Sequence, residues 1–283
     1  MALKKVSELE FHLLSTTTPM FSPTMTNPSS QVAAAKQETK KVEGCFRLWE
    51  KVWAETFLEL EVDRKQIKSD DFLHRELGGL FIGNEPVGFM LYSILNLSRR
   101  SNFRSSYFNN YPDELFEALV KNGDETMVIS YMTIDENWRK SQTDLPISEI
   151  LMGLAILRFK ESRADKLLGY FRNNRGTQNI FYRHGGTPLL RSQRAYNVDV
   201  DFAEITHANA QLSSLPQCAG STLRLWNQSR ELTQRNQVYM TSTTTHPELT
   251  ENGARNEFTW PFTADERAGI NFREDALERE QIL

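Results

Sequence analysis

The sequence of 283 residues contains only two cysteines, Cys45 and Cys218, and five histidines. Two cysteines are too few for a disulfide framework or for a cysteine-rich zinc site. The histidines are scattered, and neither an HExxH nor an HxH motif occurs. We therefore expect no dedicated metal cofactor.

Long apolar runs are also absent. Apolar residues make up 39% of the chain, and no run approaches the roughly 18 residues that a membrane span needs. The N-terminus lacks the apolar stretch of a signal peptide, and its first arginine is Arg47, unlike most Arg-rich transit peptides. These features predict a cytoplasmic protein without a membrane span.

Several nucleotide and nucleic-acid motifs are missing. The sequence contains no P-loop, no GxGxxG and no GxSxG. It has neither zinc-finger spacing nor an aromatic RNP-like strand, and its pI near 5.8 argues against nucleic acid as a partner. Charge is nevertheless uneven, because residues 139–194 contain eleven basic and four acidic side chains. This stretch is either a solvated surface or a field that attracts an anionic partner.

The chain divides into three predicted segments. Residues 1–43 are polar and predicted to be largely disordered, because the Ser/Thr/Pro-rich part from Ser15 to Ser30 has no hydrophobic period. A short amphipathic helix within the first ten or so residues is compatible with the spacing of their leucines and valine. Residues 44–206 are predicted to fold as a domain, and residues 207–283 as a helical and polar extension.

Within the domain, apolar spacing predicts helices that alternate with strands. From Gly44 an amphipathic helix has an aromatic face, on which Trp49 and Trp53 are most simply core residues. The other predicted elements are a hairpin at 80–94, a short helix at 112–121, strands at 127–134, 166–171 and 196–205, and helices at 147–163, 174–184 and 220–237. Ser148 or Asp144 is expected to cap helix 147–163. We predict an α/β (α+β) fold, in which a mixed central sheet is flanked by helices and both chain ends are polar and flexible.

This order of elements resembles the GCN5-related N-acetyltransferase (GNAT) fold over residues 44–206. Pro86-Val87-Gly88-Phe89 resembles the family's V-G at its second and third strands, and strand 127–134 with its basic loop and helix resembles the coenzyme-binding motif. The segment from Asn174 to Gly186 resembles N-x-x-A-x-x-x-Y-x-x-x-G-F. Tyr182 takes the place of the family tyrosine in that motif.

The loop before helix 147–163 departs from the family pattern. That pattern has glycines, whose backbone N–H groups reach the coenzyme pyrophosphate at a helix N-terminus. Here residues 138–148 contain no glycine. Either coenzyme binding is lost, or side chains take over the contacts to phosphate; the candidates are Arg139, Lys140, Ser141 and Gln142.

The chain is most similar to family branches that use large acyl donors, the N-acyl amino acid synthases and acyl-homoserine-lactone synthases. This resemblance implies an acyl donor held by phosphopantetheine, either acyl-CoA or the acidic acyl carrier protein, which the basic stretch would suit. It also implies a small-molecule amine as acceptor, such as an amino acid. The aromatic insertion 103–116 either covers an acyl chain or packs in the core.

The resemblance also implies roles for particular residues. Direct transfer needs a base for the ammonium, donors for the oxyanion and an acid for the thiolate. Tyr182 is the candidate acid, and Asp135 or Glu136 the candidate base; each has an ordinary packing or surface role as its alternative. Residues expected to contact the coenzyme are Met132, Thr133 and Ile134 through their backbone, and Asn174.

Two kinds of function therefore remain open. The chain is either an acyltransferase or a catalytically degenerate GNAT-fold module that binds a partner without turnover. The missing glycines favour the module, whereas Tyr182 and the two carboxylates after strand 127–134 favour the enzyme. A third function, as a regulatory or nucleic-acid scaffold, is supported only by the basic stretch.

Overall fold

The structure is a computed structural model that describes residues 4–17, 28–63, 65, 68–139 and 142–241. These residues belong to one unit, Met1–Thr243. The predicted polar tail from residue 242 onward lies outside the described residues, as do residues 18–27 of the predicted N-terminal segment.

Seven strands and five α-helices make up the described chain. The strands are β1 (Glu10–Ser15), β2 (Glu76–Ile82), β3 (Glu85–Asn96), β4 (Glu125–Ile134), β5 (Lys166–Arg172), β6 (Thr187–Ala195) and β7 (Val198–Thr206). The helices are α1 (Pro28–Glu59), α2 (Asp113–Asn122), α3 (Ile147–Glu161), α4 (Thr177–Arg183) and α5 (Pro216–Thr241). None of the helices in this part of the chain has the length and apolarity to cross a membrane.

All seven strands form one mixed sheet in the order β1-β2-β3-β4-β5-β7-β6. Only β4 and β5 run parallel, and the other neighbours are antiparallel. Because parallel neighbours cannot be joined by a hairpin, α3 crosses over between β4 and β5. The predicted mixed sheet with β4 at its centre and helices around it is confirmed.

Side chains alternate between the two faces of the sheet and build two apolar layers. On one face, Phe89 and Leu91 of β3 pack with Trp49 of α1. On the other face, Met90 and Tyr92 pack in the cluster that contains most of α3. The helix α3 is buried nearly all round because α5 covers the side that faces away from the sheet.

The structure corrects the prediction for the first 43 residues. Residues 10–15 form the edge strand β1 rather than part of a helix, and α1 begins at Pro28, not near Gly44. Pairing of β1 with β2 provides hydrogen-bond partners for the backbone groups at the edge of β2, and Phe11 and Leu14 of β1 are buried. This tertiary pairing outweighs a local pattern that is compatible with a helix.

Two further differences concern the second half of the domain. Strand β6 was not predicted, since Pro188 and the polar residues beside it obscure the alternation of an edge strand. Of the two roles expected for the aromatic insertion 103–116, the structure shows core packing for three of its rings. Tyr107, Phe108 and Tyr111 are buried in a cluster with Phe202.

We expect Phe11→Ala to lower the free energy of unfolding by about 3–5 kcal/mol, since it removes a buried ring that stacks on Trp226 at 5.8 Å. Glu8→Ala, at an exposed position of the same segment, is the matched control. Denaturant unfolding measures both variants. Equal stability of the two would mean that the N-terminal segment contributes nothing to the fold.

Candidate functional site

The candidate site lies where β4 and β5 separate. The two strands pair only over Thr126–Val128 and Lys166–Leu168, near the start of each strand. Beyond these pairs they diverge, and a cavity of about 450 Å³ opens between them. Its walls come from Ile129–Met132 and Ile134 of β4, Tyr170–Arg172 of β5, one face of α1 around Trp53, and the start of α3.

A β-bulge in β4 shapes the cavity wall. Phe89 pairs with Thr133 but Leu91 pairs with Ser130, so β4 has one residue more than β3 over this stretch. Tyr131 takes a positive φ of 53° at the bulge, a backbone conformation that costs about 1–3 kcal/mol for such a residue. The Thr133 hydroxyl donates to the Tyr131 carbonyl at 2.8 Å and accepts from Trp53 Nε1 at 3.0 Å. The side chain of Thr133 therefore stabilises the bulge.

The backbone beyond the bulge offers a donor to the cavity. The Asp135 amide donates to the Val87 carbonyl of β3 at 3.0 Å. Since successive amides of a strand point to opposite sides, the Ile134 amide points away from β3, toward the cavity. Met132 and Ile134 line the cavity, whereas Thr133 does not.

Gly88 is required opposite this part of β4. A Cβ atom at Gly88 would lie 2.9 Å from the Thr133 carbonyl oxygen, which is closer than real contacts allow. The V-G pair of the hairpin thus has a steric reason: β3 must approach the bulged strand closely.

The start of α3 forms one end of the cavity. Arg139, Pro146, Ile147 and Ser148 line it. Pro146 stands at the N-cap position, and no side chain among the described residues caps the helix, so the expected capping by Ser148 or Asp144 is wrong. The first amides of α3 are therefore available to an anion, and the helix dipole favours negative charge there.

The loop before α3 is held by the N-terminal segment. Lys4 forms an isolated parallel β-bridge with Thr143, and the Lys4 amide donates to the Gln142 carbonyl at 2.9 Å. Asp144 accepts from the Val6 amide at 3.0 Å instead of capping α3. Gln142 is exposed and does not line the cavity. Lys140 and Ser141 lie outside the described residues.

The two candidate bases lie away from the cavity. Asp135 caps the short turn Glu136–Trp138 by accepting from the Asn137 amide at 2.9 Å. Glu136 is exposed and accepts from Lys51 Nζ at 2.8 Å, and this hydrogen bond lowers its pKa. Neither carboxylate lines the cavity. Their role as bases stays a prediction.

The Tyr182 hydroxyl is engaged with a buried carboxylate. It donates to Asp201 Oδ2 at 2.6 Å, and the Arg191 guanidinium lies over its ring. Burial, followed by the contact with Asp201, raises the pKa of Tyr182 to about 12. The tyrosine therefore keeps its proton at neutral pH. It is not among the residues that line the cavity, and its role as the acid stays a prediction.

Arg172 at the end of β5 and Arg175 just after it line the far wall of the cavity, whereas Asn174 does not. Asn174 is exposed and accepts from Arg172 Nε at 3.3 Å. Arg175 pairs with Glu59 at the end of α1, which joins two walls of the cavity. Arg172 lines the cavity, and its Nη2 is buried with no protein partner among the described residues. Burial, and next the charge of Arg175, lower the pKa of Arg172.

Several of these residues were not found from the sequence. Trp53 was expected in the core, but it is half-buried, lines the cavity and supports the bulge. Ser130 and Tyr131 line the cavity because of a backbone irregularity that no residue type marks. No sequence motif marked Arg172 as a residue of the site. Among the residues that the structure describes, no group of three or more His, Cys, Asp or Glu side chains could hold a metal ion.

The strand order, the divergence of β4 from β5 and the crossover helix α3 define a GNAT-like fold. The prediction of this fold is confirmed. No protein-family model matches the sequence, and a search of the curated proteins finds no match.

Solved structures of similar shape include three enzymes. FeeM, an N-acyl amino acid synthase from uncultured soil microbes, is 13% identical, with 50% of this chain and 75% of that chain covered and a TM-score of 0.39. The AHL synthase LasI is 11% identical, with coverages of 50% and 68% and a TM-score of 0.35. An aminoglycoside N(6')acetyltransferase from Legionella pneumophila is 7% identical, with coverages of 47% and 64% and a TM-score of 0.30. Because these scores are low, the fold assignment rests on the topology above.

We expect Asp201→Asn to destabilise the protein by about 1–3 kcal/mol at neutral pH. Burial alone would raise the Asp201 pKa, but hydrogen bonds from Tyr182, the Ser192 amide and Asn173, together with Arg191, lower it. A carboxyl with a lowered pKa stabilises the fold above its unfolded pKa of about 4, and this contribution is lost as the pH falls through the folded value.

Unfolding measured across pH checks this expectation. The variant should be less stable at pH 7 and should lose less stability than the wild type on acidification. Asp199→Asn, on the same strand but exposed, is the control. An Asp201→Asn variant with the wild-type acid dependence would contradict the assignment.

Proposed function

We propose that the chain is an N-acyltransferase, which moves an acyl group from a phosphopantetheine thioester to an amine of a small molecule such as an amino acid. The observation that carries this proposal is the cavity between the diverging strands β4 and β5. It combines a slot between the two strands, a helix N-terminus that no described side chain caps, and arginines on two walls.

The cavity suits the donor in both of its parts. The amides at the start of α3 and the Arg139 side chain offer donors and positive charge to phosphate groups, without the glycines of the usual loop. The thioester end would extend along β4, where the Ile134 amide is directed at the cavity and can donate to a carbonyl oxygen that becomes negative. These features support coenzyme binding by a different loop rather than its loss.

The form of the donor is a finer proposal. Arg139 is exposed beside the cavity, in the stretch of residues 139–194 with its excess of basic side chains. An acidic acyl carrier protein would be attracted to such a surface, and acyl-CoA would need only the cavity itself. Both donors present the same phosphopantetheine arm.

The transfer needs a proton for the departing sulfur. Tyr182 is the proposed acid, since its raised pKa keeps the phenol protonated at neutral pH. In the structure its proton is directed at Asp201, so the hydroxyl would have to turn toward the cavity when the donor binds.

A second candidate function is a binding module without turnover. One arrangement favours it: Asp135 and Glu136 are occupied at a turn and in an ion pair, and Tyr182 is occupied by Asp201. A module of this kind would hold the donor in the same cavity and would release no thiol.

We expect Arg139→Glu to weaken donor binding about tenfold or more and to reduce the dependence of that binding on salt, because it reverses a charge next to the phosphate site. The double change with Lys140→Glu should weaken binding further. Arg163→Glu, an exposed arginine after the far end of α3, is the matched control.

Thermal shift with acetyl-CoA, a long-chain acyl-CoA and acyl-loaded acyl carrier protein measures this affinity, since a ligand at a hundredfold excess over its Kd stabilises the fold by about 2.7 kcal/mol. The panel also separates the two donor types. No stabilisation of the wild type by any of the three donors would overturn the proposed function.

We expect Tyr182→Phe to lower turnover by about 10²-fold, at the low end of the 10²–10⁴-fold range of general acid catalysis, because a thiolate is already a good leaving group. Donor affinity should change little, since the removed hydroxyl acts in the transition state. Release of free thiol measures turnover, and thermal shift measures affinity. Full turnover in the variant would exclude the acid role, and a wild type that binds donors without releasing thiol would favour the binding module.

A further inference from the structure

A second cavity of about 260 Å³ adjoins the first. The two share three lining residues, Ser130, Tyr131 and Tyr170, which belong to the diverging parts of β4 and β5. The cavities therefore meet at the place where the strands separate. The Ser130 hydroxyl is buried at this junction without a protein partner among the described residues, and such a group is expected to bind a ligand atom or water.

The second cavity contains groups of both charges. Asp71 lines it and accepts from the Ser106 hydroxyl at 3.2 Å. Arg75 lines it as well, and its position is fixed by donation from Nε to the Asp71 carbonyl at 3.2 Å and from Nη1 to Ser93 at 2.8 Å. Lys68 adds a second cation at the exposed side. A ligand that fits these groups has one positive and one negative end.

Tyrosine rings form the walls of this cavity and are held in place before any ligand binds. The ring centroids of Tyr107 and Tyr170 are 5.8 Å apart, and Asn110 donates to the Tyr196 hydroxyl at 2.8 Å. Walls that are already ordered lower the entropic cost of binding. The volume is below the roughly 300 Å³ at which pockets for drug-sized ligands begin, so the cavity suits a molecule of amino-acid size.

We propose that the second cavity binds the acceptor as a free amino acid, with its ammonium group at Asp71 and its carboxylate at Arg75 and Lys68. This assignment rests on the proposed function, because it assumes that the first cavity holds an acyl donor. The amino acid in the second cavity would then receive the acyl group where the two cavities meet. Asp71 is then the catalytic base, in place of the two carboxylates that lie outside the first cavity.

The reaction balances with these groups. The ammonium passes one proton to the Asp71 carboxylate, and the free amine attacks the thioester carbonyl carbon. The new C–N bond forms, and the C–S bond breaks with its electron pair on sulfur. Tyr182 gives its proton to that sulfur, and the nitrogen's second proton restores the phenol. The products are the amide and the thiol, and Asp71 returns its proton to solvent.

The first test compares Asp71→Asn with Asp70→Asn, the neighbouring exposed carboxylate on the same turn, which lies outside both cavities. With a long-chain acyl-CoA and L-leucine as probes, Asp71→Asn should release thiol at least 10²-fold more slowly. Asp70→Asn should match the wild type, and both variants should bind acyl-CoA equally well. Equal rates in the two variants would overturn the assignment of Asp71.

The second test needs no variant and so does not depend on how Asp71→Asn folds. L-Leucine is compared with 3-methylbutylamine, which is the same molecule without its carboxylate, by calorimetry and as an acceptor for the wild type. We expect the amine to be at least tenfold poorer in affinity and in kcat/KM. Equal use of the two would overturn the assignment of the carboxylate to Arg75 and Lys68.

The two proposals fail in different ways. If acyl-CoA binds but L-leucine neither binds nor accelerates thiol release, the acceptor assignment is wrong and the donor site stands. If no donor binds, the proposed function is wrong and the acceptor assignment is overturned with it.

Discussion

The hydroxyl of Thr133 makes the two hydrogen bonds on which the geometry of the site depends. It donates to the carbonyl of Tyr131, whose backbone is strained, and it accepts from the indole of Trp53 on α1. One side chain thus links the bulge of β4 to the helix that lines the cavity. Without the bulge, β4 would present a regular edge to β5, and the two strands would have no reason to stop pairing after Val128.

The divergence of β4 and β5 leaves backbone and side-chain polar groups without the partners that a closed sheet would supply. The Ile134 amide, the Ser130 hydroxyl and the Arg172 guanidinium all border the opening. Buried donors without protein partners are costly, so water or a bound ligand is expected to satisfy them. The two cavities that meet at this opening therefore have a physical reason to bind small polar molecules from both sides.

The N-terminal segment supports this site from outside it. Residues 4–6 form hydrogen bonds with the loop before α3, and β1 pairs with the outer edge of β2. Arg224 of α5 also donates to the Val6 carbonyl at 3.0 Å. The loop has no glycine to give it a tight turn of its own, and these contacts hold its shape instead.

Much of the fold was predictable because local patterns and tertiary structure agree over the central part of the chain. The apolar runs of β3, β4 and β5 and the periodic spacing of α3 determine a mixed sheet with one crossover helix, since buried parallel neighbours need such a connection. The family-like segments placed Arg139 and the start of α3 at the same cavity. Patterns of this kind depend only on neighbours in sequence, so they can be read without a structure.

The rest was decided by contacts between distant parts of the chain. Residues 10–15 are a strand because β2 offers an edge to pair with, and the edge strand β6 depends in the same way on β7. Tyr131 takes a left-handed conformation that its residue type does not favour, and only the fold brings Asp71 to the second cavity. The sequence by itself determined the five inner strands of the sheet, the crossover and the basic loop. Only the tertiary structure decided which polar groups face the cavities, because a bulge or an edge pairing moves side chains from one face of a strand to the other without leaving a pattern along the chain.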